Sequence, residues 1–130
     1  MSTRTARSLL MEPESFRVRG AIFQVRKTMG SGFLEAVYQE CLAIEFRRRD
    51  IPFRSQVILP LDYEGVRLRQ TYVADFICFD GMLIELKAVR TLAPEHRAQL
   101  LNYLRATRIA IGLLVNFGAP SGVEIERFAL

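Results

Sequence analysis

Residues 72–89, YVADFICFDGMLIELKAV, decide how this chain folds. Two apolar segments, Tyr72 to Phe79 and Met82 to Val89, flank an Asp80-Gly81 turn, and both are apolar on each face, as in central strands covered on two sides. In a strand, residues two apart share a face, so Glu85 and Lys87 point the same way while Leu86 packs on the other. The register of the hairpin then decides where Asp75 lies. A two-residue Asp80-Gly81 loop pairs Asp75 with Leu86 and sends Asp75 and Glu85 to opposite faces. A three-residue Phe79-Asp80-Gly81 loop, with Gly81 left-handed as a G1 bulge, sets Asp75 across from Glu85 with Cβ atoms about 5 Å apart. Glycine at the third loop position suits the second geometry, although Asp-Gly fits either.

Two carboxylates at that separation repel unless a cation or a proton sits between them. An acid pair able to hold a divalent cation, with a lysine beside it to stabilise a phosphate or position water, is the donor pattern of metal-dependent phosphodiester chemistry. Glu-x-Lys on a strand more commonly means a solvated charged stripe. The apolar flanks argue against that here, because buried charges without partners are costly. The chain has only two lysines among eighteen basic residues, Lys27 and Lys87. A position needing only positive charge would be arginine in this composition, so Lys87 reads as chosen for its compact ammonium head.

Working outward, Ser15 to Met29 has mostly helical spacing and ends at Gly30-Ser31-Gly32, and a second helix runs from about Phe33 to Arg49, stopped by Asp50-Ile51-Pro52. Strands are expected at 53–63, 66–79 and 82–89. A helix opens at Pro94-Glu95 and runs to about Thr107, and strands follow at 109–115 and 123–128. The order α-α-β-β-β-α-β-β, with a helical crossover between the third and fourth strands, predicts an α/β fold with a mixed β-sheet flanked by helices. Residues 1–13 read as a flexible N-terminal tail and 14–130 as one domain, which leaves no room for a separate recognition domain.

Bulk properties narrow the function classes. A net charge of +4 and half-hydrophobic composition permit a polyanionic partner without requiring one. Arg47-Arg48-Arg49, at a helix C-terminus, reads as a dipole-favoured end before it reads as a phosphate clamp. Cys41 and Cys78 lack metal or redox spacing and read as buried free thiols in a reducing compartment. No apolar segment suits a signal sequence or a membrane span, so the expectation is a cytoplasmic protein without membrane contact.

Two helical stripes complete the candidate site. His96, Gln99 and Tyr103 lie at i, i+3 and i+7, one polar face of the helix after the Lys87 strand. That face also fits a satisfied hydrogen-bond network, and sequence alone does not make the lone His96 catalytic, but it stands with Gln99 and Tyr103 among the candidate catalytic residues. Glu35, Tyr38 and Leu42 share a face of the second helix. With Gly32 as N-cap, Glu35 falls at N3, where a carboxylate caps amides, a role compatible with a functional one.

The segment from Gly32 through Glu35 to Tyr38 resembles the signature of the GxxExxY family, a group of small, mostly bacterial proteins. Ala74-Asp75, Glu85-Leu86-Lys87 and the stretch from His96 through Gln99 to Tyr103 resemble it too, over about residues 14–128. The family belongs with the PD-(D/E)xK nucleases, whose restriction-endonuclease-like, RecB-like core is a mixed sheet flanked by helices. The resemblance implies Asp75 and Glu85 as metal ligands, with Glu35 as the additional helix acid and the Leu86 carbonyl as a further oxygen donor. It implies Lys87 as the catalytic lysine and Gln99 and Tyr103 as the QxxxY pair, with His96 alongside. Ala74 stands where the name-giving proline would be. The implied function is Mg²⁺-dependent hydrolysis of phosphodiester bonds, with Mn²⁺ able to substitute and nucleic acid, foremost DNA, as substrate. Such a core would be nonspecific, structure-specific or guided by a homodimer partner or another protein. The alternative is a nuclease fold kept as a nucleic-acid-binding or assembly module without turnover.

Overall fold

The computed structural model describes residues 10–130. Eight elements follow one another: α1 (Glu12–Met29), α2 (Glu35–Arg48), β1 (Phe53–Tyr63), β2 (Val66–Cys78), β3 (Met82–Lys87), α3 (Pro94–Thr107), β4 (Ile111–Asn116) and β5 (Glu124–Ala129). They build one mixed sheet in the order β1-β2-β3-β4-β5. Strands β3 and β4 are parallel and every other neighbouring pair is antiparallel. Parallel neighbours need a crossover, and α3 provides it. The α/β class and element order are those expected from sequence.

Side-chain alternation along β3 sorts the core into two layers. Met82, Ile84 and Leu86 are buried with Val18, Ile22, Leu42 and Phe46 of α1 and α2. Leu83 goes to the other face, with Leu114, Leu100 and Leu104 under α3. A Cβ on Gly112 would lie 3.1–3.2 Å from methyl groups of Leu100 and Leu104, so glycine lets α3 sit close on β4.

Three local readings differ from the sequence expectation. Helix α1 begins at Glu12, not Ser15, because Pro13 is tolerated in a first turn and Glu12 and Glu14 complement the dipole there. Of the expected tail, residues 1–9 lie outside the described residues. Helix α2 has Leu34, not Gly32, as N-cap, so Glu35 is its first residue and makes no capping box. The cause is Tyr38, whose hydroxyl donates to the Gly30 carbonyl at 2.6 Å and accepts from the Phe33 amide at 3.3 Å. These bonds hold residues 30–33 as a loop, with Gly30 and Gly32 at positive φ.

The third difference lies in the β2–β3 turn. Cys78 pairs with Met82, Ile77 with Leu83 and Phe76 with Ile84, the register of the three-residue loop. Positive φ falls on Phe79 (54°) and Asp80 (55°), however, and not on Gly81. The Phe79 amide donates to the Pro52 carbonyl and its ring lies under the Arg17 guanidinium, which fixes the loop from its first residue. Gly81 is small for another reason: a Cβ there would stand 3.2 Å from Met11 Sδ.

Candidate active site

The β2–β3 register, continued one step past Phe76 and Ile84, brings Asp75 beside Glu85 where the two strands separate. The ladder ends there, and the Asp75 carboxylate takes the place of a backbone acceptor: its Oδ2 accepts the Leu86 amide at 2.7 Å. From the α2 side, Gln39 Nε2 donates to the Asp75 carbonyl at 3.1 Å. Asp75 is thereby held by both its backbone and its side chain.

Glu85 is 9% exposed and lies within hydrogen-bonding reach of Asp75. Burial and the neighbouring Asp75 carboxylate push its pKa from the ordinary 4.5 up to about 8, against a smaller opposing pull from Tyr72 and Lys87. Without a cation the pair therefore holds a proton at neutral pH. Lys87 shares the Glu85 face, half-buried at the end of β3. Its carbonyl accepts the Phe117 amide, and the buried Asn116 side chain accepts the Val89 and Gly118 amides while donating to Glu124. A Cβ on Gly118 would meet the Val89 backbone at 2.5 Å, so only glycine allows this close approach behind Lys87.

A distortion of the β1–β2 hairpin shapes the same face. Phe76 and Cys78 pack on the α1/α2 side, whereas Tyr72 and Ala74 pack under α3. Regular alternation would keep all four together; it breaks at Asp75, whose neighbour in the register is Gln56 at φ 50°. The break brings Tyr72 onto the face of Glu85. The Tyr72 ring is 5% exposed and stacks on Tyr103 at 3.5 Å and 13°. Gln99 Nε2 donates to the Tyr103 hydroxyl at 3.0 Å.

The structure thus gathers Asp75, Glu85 and Lys87, with Tyr103 reached through Tyr72 and Gln99 one contact beyond Tyr103. Two sequence candidates are not part of this group. Glu35 is exposed at the start of α2, one turn before Gln39, and among the described residues no three His, Cys, Asp or Glu side chains converge as a metal-binding group. His96 caps its own helix, its Nδ1 accepting the Ala93 amide at 3.0 Å. Arg47, Arg48 and Arg49 serve the end of α2: Arg48 and Arg49 pair with Glu45, and Arg47 lies over the Phe53 ring. Cys41 and Cys78 are free, and burial raises the Cys78 thiol to about 12.

Sequence reading missed Tyr72, Gln39 and Asn116. Gln39 had a signal, four residues after Glu35 on the same helical face. Tyr72 had none, because alternation assigns it to the face opposite Asp75. Asn116 closes an apolar strand and is legible only as the polar end of that run.

The Asp75–Glu85 donor set fits a hard divalent cation: both ligands are carboxylate oxygens, and their mutual repulsion is relieved by positive charge between them. A mixed sheet flanked by helices, with acid pair and lysine at the fork of its central strands, defines a restriction-endonuclease-like fold. A profile of the PD-(D/E)XK nuclease superfamily matches residues 12–128, and the chain belongs to that superfamily. A solved structure titled "Crystal structure of SSO0001" is similar in fold, with a TM-score of 0.57 and 19% identity over 72% of this chain. The match spans 48% of that structure's own chain, about half its length. No curated protein matches the sequence. Among the described residues no helix is long and apolar enough to cross a membrane.

Proposed function

We propose that this chain is a metal-dependent nuclease of the GxxExxY group that hydrolyses phosphodiester bonds in DNA. The observation that carries the reading is the same-face grouping of Asp75, Glu85 and Lys87, with the Asp75 carboxylate anchored on the Leu86 amide and Glu85 buried against it. Asp75 and Glu85 would hold Mg²⁺, or Mn²⁺ in its place. A divalent cation bound there supplies charge neutralisation on the phosphate and Lewis acidity toward the hydrolytic water. Lys87 presents its ammonium on the same face and donates to phosphate oxygens as negative charge builds in the transition state. Tyr103, oriented by Gln99, lines the approach from α3. Substrate choice would come from a second copy or a protein partner, in the cytoplasm, where Cys41 and Cys78 stay reduced.

Cleavage of single-stranded, duplex and branched DNA, with matched RNA, in Mg²⁺ and in chelator tests the reading. Metal-dependent cleavage of DNA, lost in Asp75→Ala, is the expected result. A second reading, a binding or assembly module without turnover, is favoured by Glu35, which leaves the grouping with two carboxylates. Metal binding by wild type without cleavage of any nucleic acid would select it.

A further inference from the structure

Tyr72 has no task in the reaction just described, yet its setting is not that of a packing residue. Its ring is held flat on Tyr103 and is 5% exposed, too buried to meet a nucleic acid directly. Its hydroxyl is buried and makes no well-aligned hydrogen bond. Phenylalanine would fill the same space without leaving a polar atom dry. The group that the hydroxyl faces is Glu85. The fold departs from regular strand geometry to bring this about, since Tyr72 reaches the α3 face only through the break opposite Gln56.

We propose that Tyr72 is a positioning residue for Glu85: its hydroxyl donates to one oxygen of the ionised carboxylate and leaves the other for the cation. The inference rests on the metal-dependent reading of Asp75 and Glu85. A ligating carboxylate free to rotate loses affinity, and a hydrogen bond to its second oxygen restricts that rotation and selects the oxygen presented. The stack on Tyr103 restrains the Tyr72 ring, and Gln99 orients the Tyr103 hydroxyl, so the QxxxY pair acts on Glu85 through Tyr72. Tyr72 would join the two otherwise separate sequence signals, the strand acids and the α3 stripe.

The test is Mn²⁺ binding by calorimetry to the full chain as wild type, Tyr72→Phe and Asp75→Asn, with thermal unfolding of each in chelator. Tyr72→Phe keeps the ring stack and should unfold at or above the wild-type temperature, while its Mn²⁺ affinity falls about 10- to 100-fold. Excess Mn²⁺ should restore most of its cleavage rate. Mn²⁺ should also perturb the near-ultraviolet tyrosine spectrum of wild type, and less so that of Tyr72→Phe. Wild-type affinity in a folded Tyr72→Phe, with Asp75→Asn still impaired, overturns the role of Tyr72 and leaves the metal site standing. A wild type that binds no Mn²⁺ overturns both. Should Tyr72→Phe fail to fold, the wild-type spectrum decides: no tyrosine perturbation on saturation with Mn²⁺ overturns the proposal.

Discussion

Glu85 and Glu126 stand in one row across the sheet, each paired in register with Leu114 of β4 from opposite sides. Both strands lie near α3, yet the two carboxylates meet opposite fates. Arg97 of α3 donates to both oxygens of Glu126, at 2.7 and 2.8 Å, and holds its carboxyl below the usual range. Glu85 is taken out of water and meets Asp75, a like charge, and both push its pKa up. The Glu126 pair is partly exposed and satisfied, a tie between α3 and the edge strand β5. Glu85 is buried with Asp75 half-buried beside it, and the pair is electrostatically unfavourable without a cation or a proton. Buried acids pushed this far from their ordinary range concentrate at functional sites, and this contrast separates Glu85 from the many charges around it.

The strongest way to break that contrast is Lys87→Met. The substitution keeps much of the aliphatic stem, so folding and DNA affinity should change little while single-turnover cleavage falls about 100-fold or more. A variant cutting at the wild-type rate would make Glu85-Leu86-Lys87 a structural resemblance only. Next comes Asp75→Asn, where stability and activity should move in opposite directions. Removing the like charge should raise the melting temperature in chelator, because the asparagine oxygen can still accept the Leu86 amide. Metal affinity should fall about tenfold or more, with cleavage partly restored by excess Mn²⁺. Loss of both together would place Asp75 in the core and not in the site.

The pH dependence of the apo protein sharpens the same point. Glu85 is raised in the folded state, so the native protein keeps a proton that the unfolded chain gives up above 4.5. The favourable contribution is complete below that pH and is lost as pH rises through about 8. Denaturant melts in chelator should show stability falling across this window, on the order of a few kcal/mol. Mg²⁺ should flatten the profile and release a proton on binding. A flat profile in chelator would mean that Glu85 is neither desolvated by burial nor crowded by Asp75. The smallest effect belongs to the satisfied pair: Glu126→Gln should shift the melting temperature by no more than about 2 °C and leave cleavage unchanged.

Much of this was legible in residues 72–89. Apolar runs covered on both faces, a short turn and a helix-period segment afterwards determine a mixed sheet with a crossover, because burial and the lengths of the connections admit few alternatives. The same-face placement of Glu85 and Lys87 follows from strand period alone. Three things did not follow. The turn carries its positive φ on Phe79 and Asp80, because contacts to Pro52 and Arg17, distant in sequence, outweigh the local preference of glycine. Glu35 stands at the first residue of α2 and not at N3, because Tyr38 ties residues 30–33 into a loop. Tyr72 shares a face with Glu85 only because two paired strands deform together at Gln56 and Asp75. Local periodicity, written in the order of residues, settled which strands exist and which way β3 points. Where the partners come from different strands and helices, as for the charge state of Glu85 and the reach of Tyr72, the energy depends on distances that only the assembled sheet sets.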